Sequence, residues 1–154
     1  MTGKIIVRKA TMKDAAAIRD LVNGFADEGR MLHLSLNQIY ERIRDFWVVQ
    51  TGRRVVACAA LRATWKDLGE IRSLAVSPVH QEKGLARKLL EEIFREAGEL
   101  RLKELFVLTY VPGFFRKFGF SKISKSKLPH KIWIDCINCP KFPDCDEIAM
   151  TRGL

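Results

Sequence analysis

The stretch Glu70-Ile-Arg-Ser-Leu-Ala-Val-Ser-Pro-Val-His-Gln-Glu-Lys-Gly-Leu-Ala-Arg-Lys-Leu-Leu90 reads as a strand that passes through a short turn into a long amphipathic helix. Ile71 to Val76 has the apolar, β-branched content of a strand, and Ser77-Pro78 ends it. From Gly84 onward, Leu85, Leu89, Leu90, Ile93, Phe94 and Ala97 recur at helical spacing. The turn between them is Gln81-Glu82-Lys83-Gly84-Leu85-Ala86. The first backbone amides of a helix have no intrahelical acceptor and sit at the positive end of its dipole. A glycine-opened helix start therefore suits a phosphate or pyrophosphate. Small residues at Gly84 and Ala86 let such a ligand come close.

Elements on either side extend the pattern. Lys4 to Arg8 reads as a first strand, and Thr11 with Asp14 three residues on caps a helix through Ile18, Leu21, Val22 and Phe25. Ser35 caps a second, with Leu36, Ile39, Tyr40, Ile43 and Phe46 as its apolar stripe. Trp47 to Gln50, a turn at Thr51-Gly-Arg-Arg54, and Val55 to Thr64 form a hairpin that leads to the strand carrying Glu70. After the long helix, Leu105 to Tyr110 is a continuous apolar run suited to a central strand. Pro112 opens a short helix that Gly119 ends, and Glu147 to Thr151 is a final strand. This order predicts an α/β fold with a mixed, mostly antiparallel central sheet and helices on both faces, in a single domain over 1–154.

Composition narrows the function classes. With 154 residues and 47% hydrophobic content, the chain is long enough to bury a core without staples. No apolar run approaches the roughly 20 residues that span a bilayer, and the N-terminus lacks a signal peptide's apolar core. A cytoplasmic protein without a membrane partner is expected. The formal charge is +9, and residues 116–131 carry six basic side chains and no acidic one. That stretch has no helix-turn-helix, zinc-finger or RNP-type pattern, so no specific nucleic-acid partner is expected. A solvated basic face that draws in phosphorylated or carboxylate ligands accounts for the charge better. Cys58 sits in the apolar run Val55 to Leu61 and reads as a buried strand thiol. Cys136, Cys139 and Cys145, with His130 upstream, have the residue types of a structural zinc site, but only one Cys-x-x-Cys pair is present. Reduced thiols in a loop stiffened by Pro140 and Pro143 are the simpler expectation, with no metal.

Gln81-x-x-Gly84-x-Ala86, following a strand that ends Leu74-Ala75-Val76, resembles the acyl-CoA loop of the GNAT N-acetyltransferase superfamily. Phe114-Phe-Arg-Lys-Phe-Gly-Phe120 resembles the second signature of that family, and the element order is also the family's. The resemblance implies that Leu74, Ala75 and Val76 offer backbone hydrogen bonds to a pantetheine arm. It also implies that Gln81, Glu82, Lys83, Gly84, Leu85, Ala86 and Arg87 hold the diphosphate of acetyl-CoA as co-substrate.

Acetyl transfer from a thioester to an amine needs a neutral amine, a polarised carbonyl and a protonated leaving thiolate. Glu70 begins the strand before the loop, placed either to accept the amine proton or as a strand-end carboxylate in solvent. Arg72, two residues on, shares a strand face with Glu70 and either holds a substrate carboxylate or pairs with a neighbouring acid. The family commonly places a tyrosine four residues before its Gly-Phe pair as the acid, and the matching residue here is Phe115, which has no proton to give. Tyr110 is the substitute, with a buried structural tyrosine as its plain alternative; solvent is a further proton source for the thiolate.

The runs Leu105-Phe-Val-Leu-Thr-Tyr-Val-Pro-Gly-Phe114, Leu128-Pro-His-Lys-Ile-Trp133 and Asp135 to Met150 resemble the acetyltransferase domain of short-form N-acetylglutamate synthases. That resemblance implies transfer of acetyl to the α-amine of L-glutamate, the entry step of arginine biosynthesis. One departure stands out: Met31-Leu-His-Leu-Ser35 has Leu34 where the short-form pattern has an arginine, leaving His33, Arg30 or Arg72 to meet a substrate carboxylate. Two alternatives remain open, a family member acting on another amino acid or a protein N-terminus, and a non-catalytic acyl-CoA-binding module. A homodimer is also compatible with the sequence.

Overall fold

The structure is a computed structural model that describes residues 3–128 and 147–154. They group into two compact units, Met1–Arg62 with Ile71–Leu100, and Ala63–Glu70 with Arg101–Leu154. In chain order the strands are β1 (Ile5–Lys9), β2 (Phe46–Thr51), β3 (Arg54–Trp65), β4 (Leu68–Val76), β5 (Glu104–Thr109), β6 (Ser121–Ile123) and β7 (Ile148–Gly153). The helices are α1 (Ala15–Asp27), α2 (Leu36–Glu41), α3 (Leu85–Glu99) and α4 (Pro112–Arg116).

In the first unit the strand order is β1-β2-β3-β4, with β1–β2 and β2–β3 antiparallel. Side chains alternate across a strand, and β2 uses both faces. Phe46 and Val48 pack with Ala15, Ile18 and Val22 of α1 and Ile39 of α2. Trp47, between them, donates its indole N–H to Glu96 of α3 at 2.8 Å. Lys9 Nζ also meets Glu96, at 3.1 Å, and lies over the Trp47 ring, so α3 is fastened to β1 and β2. Leu85, Leu89, Leu90, Ile93 and Ala97 are the buried stripe of α3, as the sequence spacing predicts, whereas Phe94, read as part of that stripe, is only partly buried.

Local signals set the helix starts. Ser35 Oγ accepts from the Gln38 amide at 3.1 Å while Gln38 Oε1 accepts from the Ser35 amide at 2.8 Å, a reciprocal capping box. The Thr11 amide donates to Asp14 Oδ2 at 2.7 Å, and the segment opens with a 3₁₀ turn over Met12–Asp14 before α1 begins. Asp14 also takes a two-pronged bond from Arg8, at 2.8 and 3.0 Å. Hydrogen bonding from Arg8 lowers the Asp14 pKa from 3.8, overcoming the opposite effect of burial. An acid depressed by folding adds stability above its ordinary pKa and loses it as pH falls through the folded value. Asp14→Asn therefore lowers stability by about 2 kcal/mol at neutral pH, the scale of hydrogen bonds to charged groups. In paired thermal melts the gap between wild type and variant closes as pH drops below 3.8; a gap that stays constant to acid pH refutes this role.

In the second unit the order is β4-β5-β7-β6. Leu68, Gly69 and Glu70 pair in parallel with Glu104, Leu105 and Phe106, whereas β5–β7 and β6–β7 are antiparallel. A mixed sheet, mostly antiparallel, is therefore what the sequence predicted. Phe106, Leu128 and Ala149 form a buried cluster supported by Leu68, Leu108 and Ile123. β4 begins at Leu68, two residues before the Glu70 start read from the sequence. The second apolar stripe divides into α2 and a separate 3₁₀ turn over Ile43–Asp45, and Phe46 already belongs to β2.

Candidate functional site

β4 ends at Val76, whose carbonyl accepts from the Gln81 side chain at 3.1 Å. That bond, with a 3₁₀ turn at Pro78–His80, folds the loop back against the strand it leaves. Gln81, Glu82, Lys83 and Gly84 are exposed, while Leu85 is 3% exposed and anchors the first turn of α3. Glu82 has φ +64° and Gly84 has φ +77°, both in the left-handed region. For a non-glycine residue this conformation costs about 1–2 kcal/mol, and such strain gathers at ligand sites. Left-handed residues in a turn also make successive amides converge into an anion-binding concavity. The Gly84 carbonyl accepts from Lys88, the first bond of α3, so helix geometry leaves the Leu85 and Ala86 amides without an intrahelical acceptor.

The fit to a diphosphate rests on two features. A Cβ built on Gly84 meets nothing within 4 Å, so the space in front of the helix start is open. His80 Nδ1, in the turn just before, is buried without a hydrogen-bond partner among the described residues. The loop thus offers room and free helix-start amides, with one unsatisfied ring nitrogen buried beside it.

Ser73, in the middle of β4, has φ +54°. A left-handed residue inside a strand interrupts the ladder and re-aims the peptides after it, here those of Leu74, Ala75 and Val76. Ala75 is buried, and Leu74 and Val76 are partly buried. The Ser73 carbonyl accepts from the Cys58 thiol at 3.4 Å. Cys58 is fully buried, and burial pushes its pKa up to about 12, which removes it as a thiolate nucleophile.

The predicted site residues fall into both units. Residues 74–87 and Arg72 belong to the first, with Arg72 partly buried. Glu70 and Tyr110 belong to the second. Glu70 is 8% exposed, so the reading of a strand-end carboxylate standing in solvent is set aside. Tyr110 follows the last residue of β5 and is partly buried, beside Thr109, whose hydroxyl accepts from the Val111 amide at 2.9 Å. Phe115 is 3% exposed, its ring edge-on to Phe114 at 5.1 Å and Phe120 at 5.5 Å. It is a packing residue at the position where the family pattern has its tyrosine.

Leu34 is held from both sides, its amide donating to Asn23 Oδ1 at 2.9 Å and its carbonyl accepting from Asn23 Nδ2 at 3.1 Å. Its side chain packs against the core cluster of the first unit. Sequence reasoning missed the left-handed Ser73 and Glu82, the Gln81 tie and the His80 nitrogen, none of which leaves a compositional signal. Cys136, Cys139, Cys145 and His130 lie outside the described residues; among those described, no group of three or more metal-ligating side chains occurs. No described helix is long and apolar enough to cross a membrane.

The GNAT acetyltransferase domain family matches residues 42–122. An uncharacterized N-acetyltransferase of Chlorobaculum tepidum is 45% identical over 148 residues, 96% of each chain. A protein of Mycobacterium tuberculosis named amino-acid acetyltransferase is 34% identical over 131 residues, 83% of this chain and 75% of that one. Among solved structures, M. tuberculosis Rv2747 in complex with coenzyme A superposes with a TM-score of 0.82 at 30% identity, over 97% of this chain and 99% of that one. The N-acetylglutamate synthase of Neisseria gonorrhoeae, complexed with coenzyme A and N-acetylglutamate, gives 0.89 at 27% identity; the match covers 99% of this chain and 35% of that longer protein. By the family match and these two relatives, the chain belongs to the GNAT family and is an acetyltransferase.

Proposed function

We propose that this enzyme transfers the acetyl group of acetyl-CoA to the α-amine of L-glutamate, as the entry step of arginine biosynthesis, in the cytoplasm and as one acetyltransferase domain. The observation that carries the reading is the pair of left-handed residues, Glu82 and Gly84, opening α3 over unfilled space. Similarity to proteins named amino-acid acetyltransferase and N-acetylglutamate synthase supports the acceptor.

Acetyl-CoA supplies the activated acetyl group as a thioester. In this reading the amides from Gln81 to Arg87 hold the diphosphate, with Lys83 and Arg87 adding positive charge. Leu74, Ala75 and Val76 lend backbone groups to the pantetheine arm, and an amide there donates to the thioester oxygen. Glu70 accepts the proton of the attacking amine, directly or through a water. Tyr110 donates a proton to the leaving sulfur. Arg72 binds a substrate carboxylate. Attack is direct, without an acyl-enzyme, in keeping with the buried and protonated Cys58.

Leu34 favours a second reading, an acceptor other than glutamate. Its backbone is clasped by Asn23 and its side chain packs inward, so no cation stands at that position. A thiol-release assay with acetyl-CoA and a panel of free amino acids decides between the two. Turnover is expected with glutamate above all others; turnover confined to other amines overturns the assignment of glutamate while leaving acetyl transfer in place.

A further inference from the structure

The first unit carries a groove that none of residues 81–86 lines. It is an open depression of about 510 Å³. One wall is a face of α1, repeating at helical spacing from Ala17 to Glu28, and the other runs from Arg53 to Val56 and includes Ser77 and Pro78, just past the end of β4. Its apolar lining includes Ala17, Leu21, Phe25, Val55 and Pro78.

Three observations point to a ligand. Gly24 lies inside α1, where glycine is unfavourable, yet a Cβ built on it meets nothing within 4 Å. Packing therefore does not require glycine there, whereas any side chain would enter the groove that Gly24 lines. Arg53 and Arg54 are exposed, and neither guanidinium has a hydrogen-bond or ion-pair partner among the described residues. The acids on the α1 wall differ in this respect: Asp20 is paired with Arg19 at 3.3 Å and Glu28 with Arg30 at 3.3 Å. The unmatched charge of the groove is therefore positive.

We propose that this groove binds a carboxylate with a single negative charge and an apolar tail, at a place that none of the phosphate-loop residues 81–86 lines. The carboxylate meets Arg53 and Arg54 in charge-assisted hydrogen bonds, and the tail lies over Gly24 against Leu21, Phe25 and Val55.

Octanoate is the probe, titrated into the full chain by calorimetry and by amide chemical-shift mapping. Saturable binding is expected, with the largest shifts at Gly24 and from Arg53 to Val56. The double variant R53A/R54A should weaken binding at least about tenfold, the effect of losing one charge-assisted hydrogen bond. Gly24→Leu should abolish it while leaving the melting temperature equal or higher, since leucine is the better helix former. Octylammonium should not bind. Undiminished affinity in R53A/R54A, octylammonium binding as tightly as octanoate, or no saturation at millimolar octanoate each overturns the proposal. Should Gly24→Leu fail to fold, the arginine variant carries the test alone.

Discussion

Gly84→Asp yields a folded protein that no longer binds coenzyme A. Gly84 is the N-cap of α3 and sits at φ +77°, a conformation that aspartate tolerates better than most residues. Its charge also suits the positive end of the helix dipole. The same features that keep the helix intact put a carboxylate into the open space in front of it, where the diphosphate belongs. A hundredfold or greater rise in Kd is expected, about 3 kcal/mol or more. Calorimetric titration with coenzyme A measures it, and circular dichroism confirms the fold. Gly84→Asn separates charge from bulk, because it fills similar space without the anion and should bind more tightly than Gly84→Asp. Unchanged coenzyme A affinity in Gly84→Asp rejects the loop as the cradle.

Glu70→Gln should lower kcat/KM by about a hundredfold at acidic pH, the lower end of what a positioned general base contributes. The loss should shrink as pH rises, because an amine that is already deprotonated has no proton to hand over. Glutamine keeps the size of a side chain that is 8% exposed but exchanges one acceptor oxygen for a donor, so the protein should still fold and coenzyme A affinity should be unchanged. A ratio of wild-type to variant rates that is flat across pH removes Glu70 as the base. A loss of coenzyme A affinity in parallel with rate would instead make it a structural carboxylate.

Residues whose spacing encodes their burial were legible in the sequence. The stripe from Leu85 to Ala97 and the capping signals at Thr11 and Ser35 all recur in the structure, because each is a local pattern with a local physical cause. β6 was harder: it spans Ser121–Ile123 inside a basic stretch with no alternation long enough to reveal a strand, and only its pairing with β7 defines it. The division of the second apolar stripe into α2 and a 3₁₀ turn was also hidden, since Ile39 and Ile43 meet one core cluster from either element. At the site, the loop from Gln81 to Ala86 was found from its residue types. The left-handed backbone at Glu82 and Ser73 was not, because neither glutamate nor serine announces a positive φ. The groove beside α1 escaped for a different reason: Gly24 and Arg53 are distant in sequence, and only the folded unit brings them to one cavity.

Ser73 carries a consequence for natural variation. Its neighbours Ile71, Leu74 and Val76 are the residues a strand ordinarily welcomes, yet position 73 holds a torsion of +54° that β-branched side chains resist. Across orthologues this one site should therefore drift among glycine, asparagine, aspartate and serine and stay closed to valine and isoleucine, an inversion of the substitution pattern on either side of it.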